Sequence, residues 1–110
     1  MTQLDSVMPH SDLAELVAPD VYRVATGVSN AYLVMAQGGY VIVDGGDRQH
    51  GRKVIRAAEE LFEGLRPRAI VLTHGHFDHA GGIPAITERF EDVPVYAHVM
   101  ELPYLNYDVP

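Results

Sequence analysis

The sequence predicts an α+β fold in which a mixed sheet of about five strands carries two helices on one face. Three observations lead there. The first half opens with strand-like segments separated by very short turns, as in an antiparallel meander. The second half alternates helix-period stretches with short apolar strands. Hydrophobic residues make up 47% and charged residues 21%, ordinary proportions for a chain that buries a core.

Residues 1–20 are unpatterned and read as an N-terminal arm, with Pro9 and Pro19 bracketing a short helical turn around Asp12 to Val17. Residues 21–110 read as the folded unit. VYRVAT (21–26), AYLVMA (31–36) and YVIVD (40–44) are rich in β-branched and aromatic residues and predict three strands. DGGD (44–47) breaks the third, and the Asp47 carboxylate is placed to cap a helix. In the stretch that follows, Val54, Ile55, Ala58, Leu61, Phe62 and Leu65 recur on one helical stripe, and Gly64 and Pro67 end it. RAIVLT (68–73) predicts a fourth strand. GIPAITERF (82–90) places Ile83, Ile86 and Phe90 on one helical face, with Pro84 tolerated in the first turn. VPVYAH (93–98) predicts a fifth strand, and the tail has no clear element.

Composition narrows the partners. Lys and Arg total 8 against 15 Asp and Glu, for a formal charge of -7, which argues against nucleic acid or an anionic membrane and leaves a small-molecule substrate. There is no cysteine, so a metal site must use His, Asp or Glu. The start shows no secretory pattern and no stretch approaches the length of a membrane span, which makes a cytoplasmic location the expectation. AYLVMA, YVIV and AIVL are apolar at nearly every position, as in strands covered on both faces. Two helices cover one face only. The other is expected to meet a second copy of the chain, as a homo-oligomer, or a further piece of protein.

THGHFDHAGG (73–82) places His74, His76, Asp78 and His79 directly after an apolar strand. In extended backbone, residues two apart point the same way, so His74 and His76 can grip one ion together. After a turn, Asp78 and His79 can converge on a second point nearby. Gly75, Gly81 and Gly82 supply the backbone freedom for that bend. Imidazole and carboxylate suit zinc, and also iron or manganese. A lone histidine is usually a surface or capping residue, and Asp78 alone could cap the next helix. Three histidines and an aspartate at H-x-H-x-D-H after a buried strand favour the metal reading.

The same segment resembles the HxHxDH metal motif of the metallo-β-lactamase superfamily. VYRVATGVSNAYLV followed by YVIVDGG resembles the family's opening strands, RAIVLTHGHFDHAGG its strand, metal loop and helix, and VPVYAH the strand after that helix. The resemblance implies a fold of two similar β-α halves packed sheet to sheet as an αββα sandwich, of which this chain resembles the N-terminal half. It also implies a two-ion zinc site, with His74 and His76 on the first ion and Asp78 and His79 on the second. A bridging hydroxide would attack the substrate, and Asp78 would be the catalytic residue that orients it and passes a proton to the leaving group. Asp44 resembles the family's aspartate beside the site and would hold a ligand histidine in its tautomer, unless it simply forms the turn with its two glycines. His98, at a strand end, could face the same cleft or only pack. His10 and His50 read as solvated, and Tyr104 and Tyr107 as packing or pocket residues.

The family supplies three further ligands from later in the chain, and only twelve residues follow His98 here. The expectation is a truncated metal-dependent hydrolase of small esters, thioesters, lactones or lactams. The alternatives are an iron-dependent oxidoreductase of the same superfamily, or a non-catalytic fragment that binds metal or a partner. Either way, the isolated chain should bind metal weakly and hydrolyse little, and a purified 110-residue monomer with full hydrolytic activity would contradict this.

Overall fold

The computed structural model describes residues 9–73 and 80–97. The elements in chain order are β1 (Glu15–Ala18), β2 (Val21–Ala25), β3 (Asn30–Ala36), β4 (Gly39–Val43), α1 (Gly51–Leu61), β5 (Pro67–Leu72), α2 (Ile83–Arg89) and β6 (Val95–Ala97). They form one mixed sheet in sequential order. The pairs from β1 to β4 are antiparallel, and β4 with β5 and β5 with β6 are parallel.

The meander, both helices and the five expected strands are present, and a sixth strand joins them from the arm. Glu15–Ala18 pairs along the free edge of β2, where all four residues are exposed. An edge strand exposed on both faces needs no hydrophobic alternation, so its sequence carries no period to read. The expected helical turn at Asp12 to Val17 contracts to a turn at residues 12–13. The buried Ser11 anchors it: its hydroxyl donates to Glu60 Oε1 at 2.5 Å and accepts from the Leu13 amide at 3.1 Å.

The start of α1 also differs from expectation. Helix α1 begins at Gly51, with His50 rather than Asp47 at its cap position. Asp47 Oδ1 accepts the Gln49 amide at 2.9 Å, so the carboxylate closes a turn at residues 48–50 ahead of the helix.

The core lies between the sheet and the helices. The register sets Tyr22, Leu33, Ile42 and Ile70 side by side across four strands. Val54, Ala57, Ala58 and Leu61 of α1 and Ile86 of α2 complete the same buried cluster. Phe62 closes its lower end, stacked on Tyr40 with centroids 4.6 Å apart and meeting Tyr22 edge-on at 5.8 Å. Burial pushes the Tyr40 hydroxyl up to about 12.

The opposite face repeats the apolar character. Val21, Val34, Val41 and Ala69 form one cross-strand row, and Arg23, Tyr32, Val43, Val71 and Tyr96 form another. All but Tyr96 are half-buried, and Tyr96 is exposed. Among the described residues, no helix is long and apolar enough to cross a membrane.

Leu33 is fully buried at the centre of the cluster. Leu33→Ala should cost about 2–5 kcal/mol, read as a lower denaturant midpoint. A smaller loss for Leu33→Ala than for Val41→Ala on the opposite face would contradict this placement of the core.

Candidate metal centre

Parallel pairing of β4, β5 and β6 directs their C-terminal ends to one edge of the sheet, and the β2–β3 turn closes at that edge. Asp44 follows β4 directly and Thr73 follows β5 directly. The Asp44 carboxylate grips Thr73 as a fork: Oδ1 accepts the Thr73 amide at 2.8 Å and Oδ2 accepts its hydroxyl at 2.6 Å. The Asp44 amide in turn donates to the Val71 carbonyl at 2.8 Å. Asp44 is buried and sits at φ 64, a left-handed conformation that a short polar side chain tolerates. It is therefore more than a turn-former. Its side chain fixes the residue immediately before His74.

The far end of the same loop is fixed by close approach. The Gly82 amide donates to the Gly46 carbonyl at 2.9 Å. A Cβ on Gly82 would lie 2.2 Å from the Gly45 carbonyl oxygen and 2.9 Å from Gly51 Cα. Gly82 itself has φ -85, open to any residue. Space between three backbones, not torsional freedom, demands glycine here, which corrects the sequence-based reason for it. Residues 74–81 thus run between two anchors on one short turn, at Asp44 and at Gly45–Gly46.

A further pair braces that turn. His50 Nδ1 donates to Asp47 Oδ1 at 2.5 Å, and this hydrogen bond, ahead of smaller contributions, holds the Asp47 carboxyl below its ordinary range. His50 was expected to be solvated and is instead half-buried, packed beside Gly27. His10 is exposed as expected and bonds Asp12 at 2.9 Å. Thr73 and the 45–46 contact with Gly82 went unread in the sequence because their partners are distant along the chain.

The expected ligands His74, His76, Asp78 and His79 lie outside the described residues, as do His98, Tyr104 and Tyr107. Among the described residues, no three His, Asp or Glu side chains group to hold an ion.

A family profile described as the metallo-beta-lactamase superfamily matches residues 24–110. The chain belongs to that superfamily. It is 38% identical over 93 residues to the probable metallo-hydrolase YflN of Bacillus subtilis, a match covering 81% of this chain and 35% of that one. It is 46% identical over 56 residues to a hydroxyacylglutathione hydrolase of Hamiltonella defensa, covering 51% of this chain and 20% of that one. Among solved structures, the Rm3 metallo-beta-lactamase superposes with a TM-score of 0.70 at 25% identity, over 92% of this chain and 38% of that one. The metallo-beta-lactamase SMB-1, in a complex with mercaptoacetic acid, gives 0.66 at 30% identity over 83% and 36%. The chain spans about a third of the length of YflN and of these two lactamases. Its superfamily relatives are hydrolases, and the six-stranded sheet with two helices is part of their α+β fold.

Removing the fork takes the buried acceptor away from the Thr73 amide and hydroxyl. Asp44→Ala should cost about 1–3 kcal/mol in denaturant unfolding. Asp44→Asn, which keeps an acceptor for the Thr73 amide, should recover part of the loss. Equal losses for the two variants would show that the fork is not what holds Thr73.

Proposed function

We propose that this chain is the first half of a metal-dependent hydrolase that cleaves small esters, thioesters, lactones or lactams. In this reading His74 and His76 hold one zinc ion, and Asp78 and His79 a second. The observation that carries it is the H-x-H-x-D-H segment running between two anchors on the 44–46 turn. The donor set fits: three imidazoles and a carboxylate with no thiolate in the chain suit zinc, with iron or manganese as alternatives. When bound, the ions supply Lewis acidity that polarises a substrate oxygen and brings a water's pKa near neutrality. Asp78 orients the attacking water and carries a proton toward the leaving group. Asp44 acts one residue back, holding the start of the ligand segment through Thr73.

The match to hydroxyacylglutathione hydrolases supports an acyl substrate, and the lactamase neighbours support cleavage at a carbonyl. The apolar outer rows, Val21 to Ala69 and Tyr32 to Tyr96, are the surface on which a second sheet would pack. That sheet would bring the remaining ligands, and a second copy of the chain is the other candidate to cover the face.

His76→Ala and Asp78→Ala should each lower the zinc bound per chain, measured by elemental analysis after dialysis. Asp44→Asn should weaken metal affinity by about 10–100-fold through the anchor alone. Unchanged zinc in both ligand variants would overturn the assignment, and iron in place of zinc would favour the oxidoreductase branch.

A further inference from the structure

Half of the chain's cationic side chains fall within nine residues. Arg48, Arg52, Lys53 and Arg56 are four of the eight Lys and Arg, and no Asp or Glu occurs from 48 to 58. These residues form the first half of α1 and the turn before it. The helix has no acidic residue in its first turn and no basic residue in its last, while Glu59 and Glu60 occupy its C-terminal part. Both halves oppose the helix dipole, which favours anions at the start and cations at the end. Arg52 and Arg56, four apart, also repel each other along one face. A helix selected only for stability would carry the reverse pattern.

Of the four cations elsewhere, Arg66 and Arg68 are exposed, with Arg68 donating to the Gln37 carbonyl at 2.5 Å, and the other two are neutralised locally. Arg23 pairs with Glu15, and Arg89 pairs with Glu59. Among the described residues, Arg48, Arg52 and Arg56 are exposed and make no ion pair. Lys53 Nζ donates to the Ala25 carbonyl at 2.6 Å, which ties the cluster to the end of β2. Gly51 packs against Gly82. The cluster therefore begins at the sheet edge that carries Asp44 and Thr73.

We propose that Arg48, Arg52, Lys53 and Arg56 attract an anionic small-molecule substrate, bearing a carboxylate or phosphate, to that edge. The proposal rests on the hydrolase reading and adds the charge of the substrate to it. In a chain of formal charge -7 the rest of the surface disfavours anions, so a local cationic patch sets up a gradient toward the edge. Guanidinium groups free of carboxylate partners are well suited to a carboxylate or phosphate, which they bind through paired N–H donors. A nucleic acid would need a basic face far wider than the first half of one helix.

The test is an amide-resolved NMR titration of the full chain at low salt, with succinate and with its neutral analogue succinamide. Succinate should shift the amides of residues 48–56 at a concentration at least about tenfold lower than succinamide. The shifts should collapse in about 0.5 M NaCl, where charges are screened within a few ångströms. The triple variant R48E/R52E/R56E should lose the succinate response. By the dipole argument it should keep or gain helicity by circular dichroism, so misfolding cannot mimic the result. Equal responses to the two probes, or a succinate response retained in the variant, would overturn the proposal. The two readings fail separately, because zinc content in His76→Ala tests the hydrolase reading without reference to any anion.

Discussion

Both ends of the histidine segment are held by one turn, and the candidate chemistry depends on that constraint. Asp44 holds Thr73 with two charge-assisted hydrogen bonds, and Gly45 with Gly46 receives Gly82 at a distance no side chain would allow. The two anchors differ in kind. One is polar and sensitive to the loss of a single carboxylate, whereas the other is steric and sensitive to the gain of a single methyl. Together they fix the separation of Thr73 and Gly82, so the loop between them is closed at both ends during folding. The bond from His50 to Asp47 extends the brace into the first turn of α1.

Most of the fold was legible because its burial pattern is periodic. In β2 the buried and half-buried residues alternate from Val21 to Val24, and α1 buries Val54, Ala57, Ala58 and Leu61 on one stripe. Strand β1 was not legible, because Glu15–Ala18 is exposed throughout and owes its conformation to pairing with β2. Asp47 looked like a helix cap because sequence shows only that a carboxylate precedes a helical stripe. Which amide it accepts is fixed by where the helix starts, and Gly51 at that start packs against Gly82, thirty-one residues on. The candidate site divides the same way. The spacing of the candidate ligands is local and can be read directly. Asp44 grips Thr73, and nothing local in DGGD names that residue.

The two sheet faces are apolar for different reasons. The inner rows are sealed by α1 and α2, and their residues are buried to near zero exposure. The outer rows are apolar apart from Arg23 and only half-buried, apart from exposed Tyr96. Continuous apolar strands are the kind normally covered on both faces.

Topology explains why distant residues meet at one edge. Had β5 run antiparallel to β4, Asp44 and Thr73 would stand at opposite ends of the sheet. The α1 crossover instead returns the chain to the starting edge, so β5 ends beside the end of β4 and the fork can form. The same crossover sets the N-terminal half of α1 near that edge, where Lys53 reaches Ala25. One structural decision, a parallel pair joined by a helix, thus places the Asp44 anchor, the Thr73 that precedes the histidine segment and a cationic helix start within one neighbourhood. Because the pairing of Val43 with Val71 sets the register of that neighbourhood, a two-residue slip of β5 would separate Asp44 from Thr73 even with every side chain unchanged.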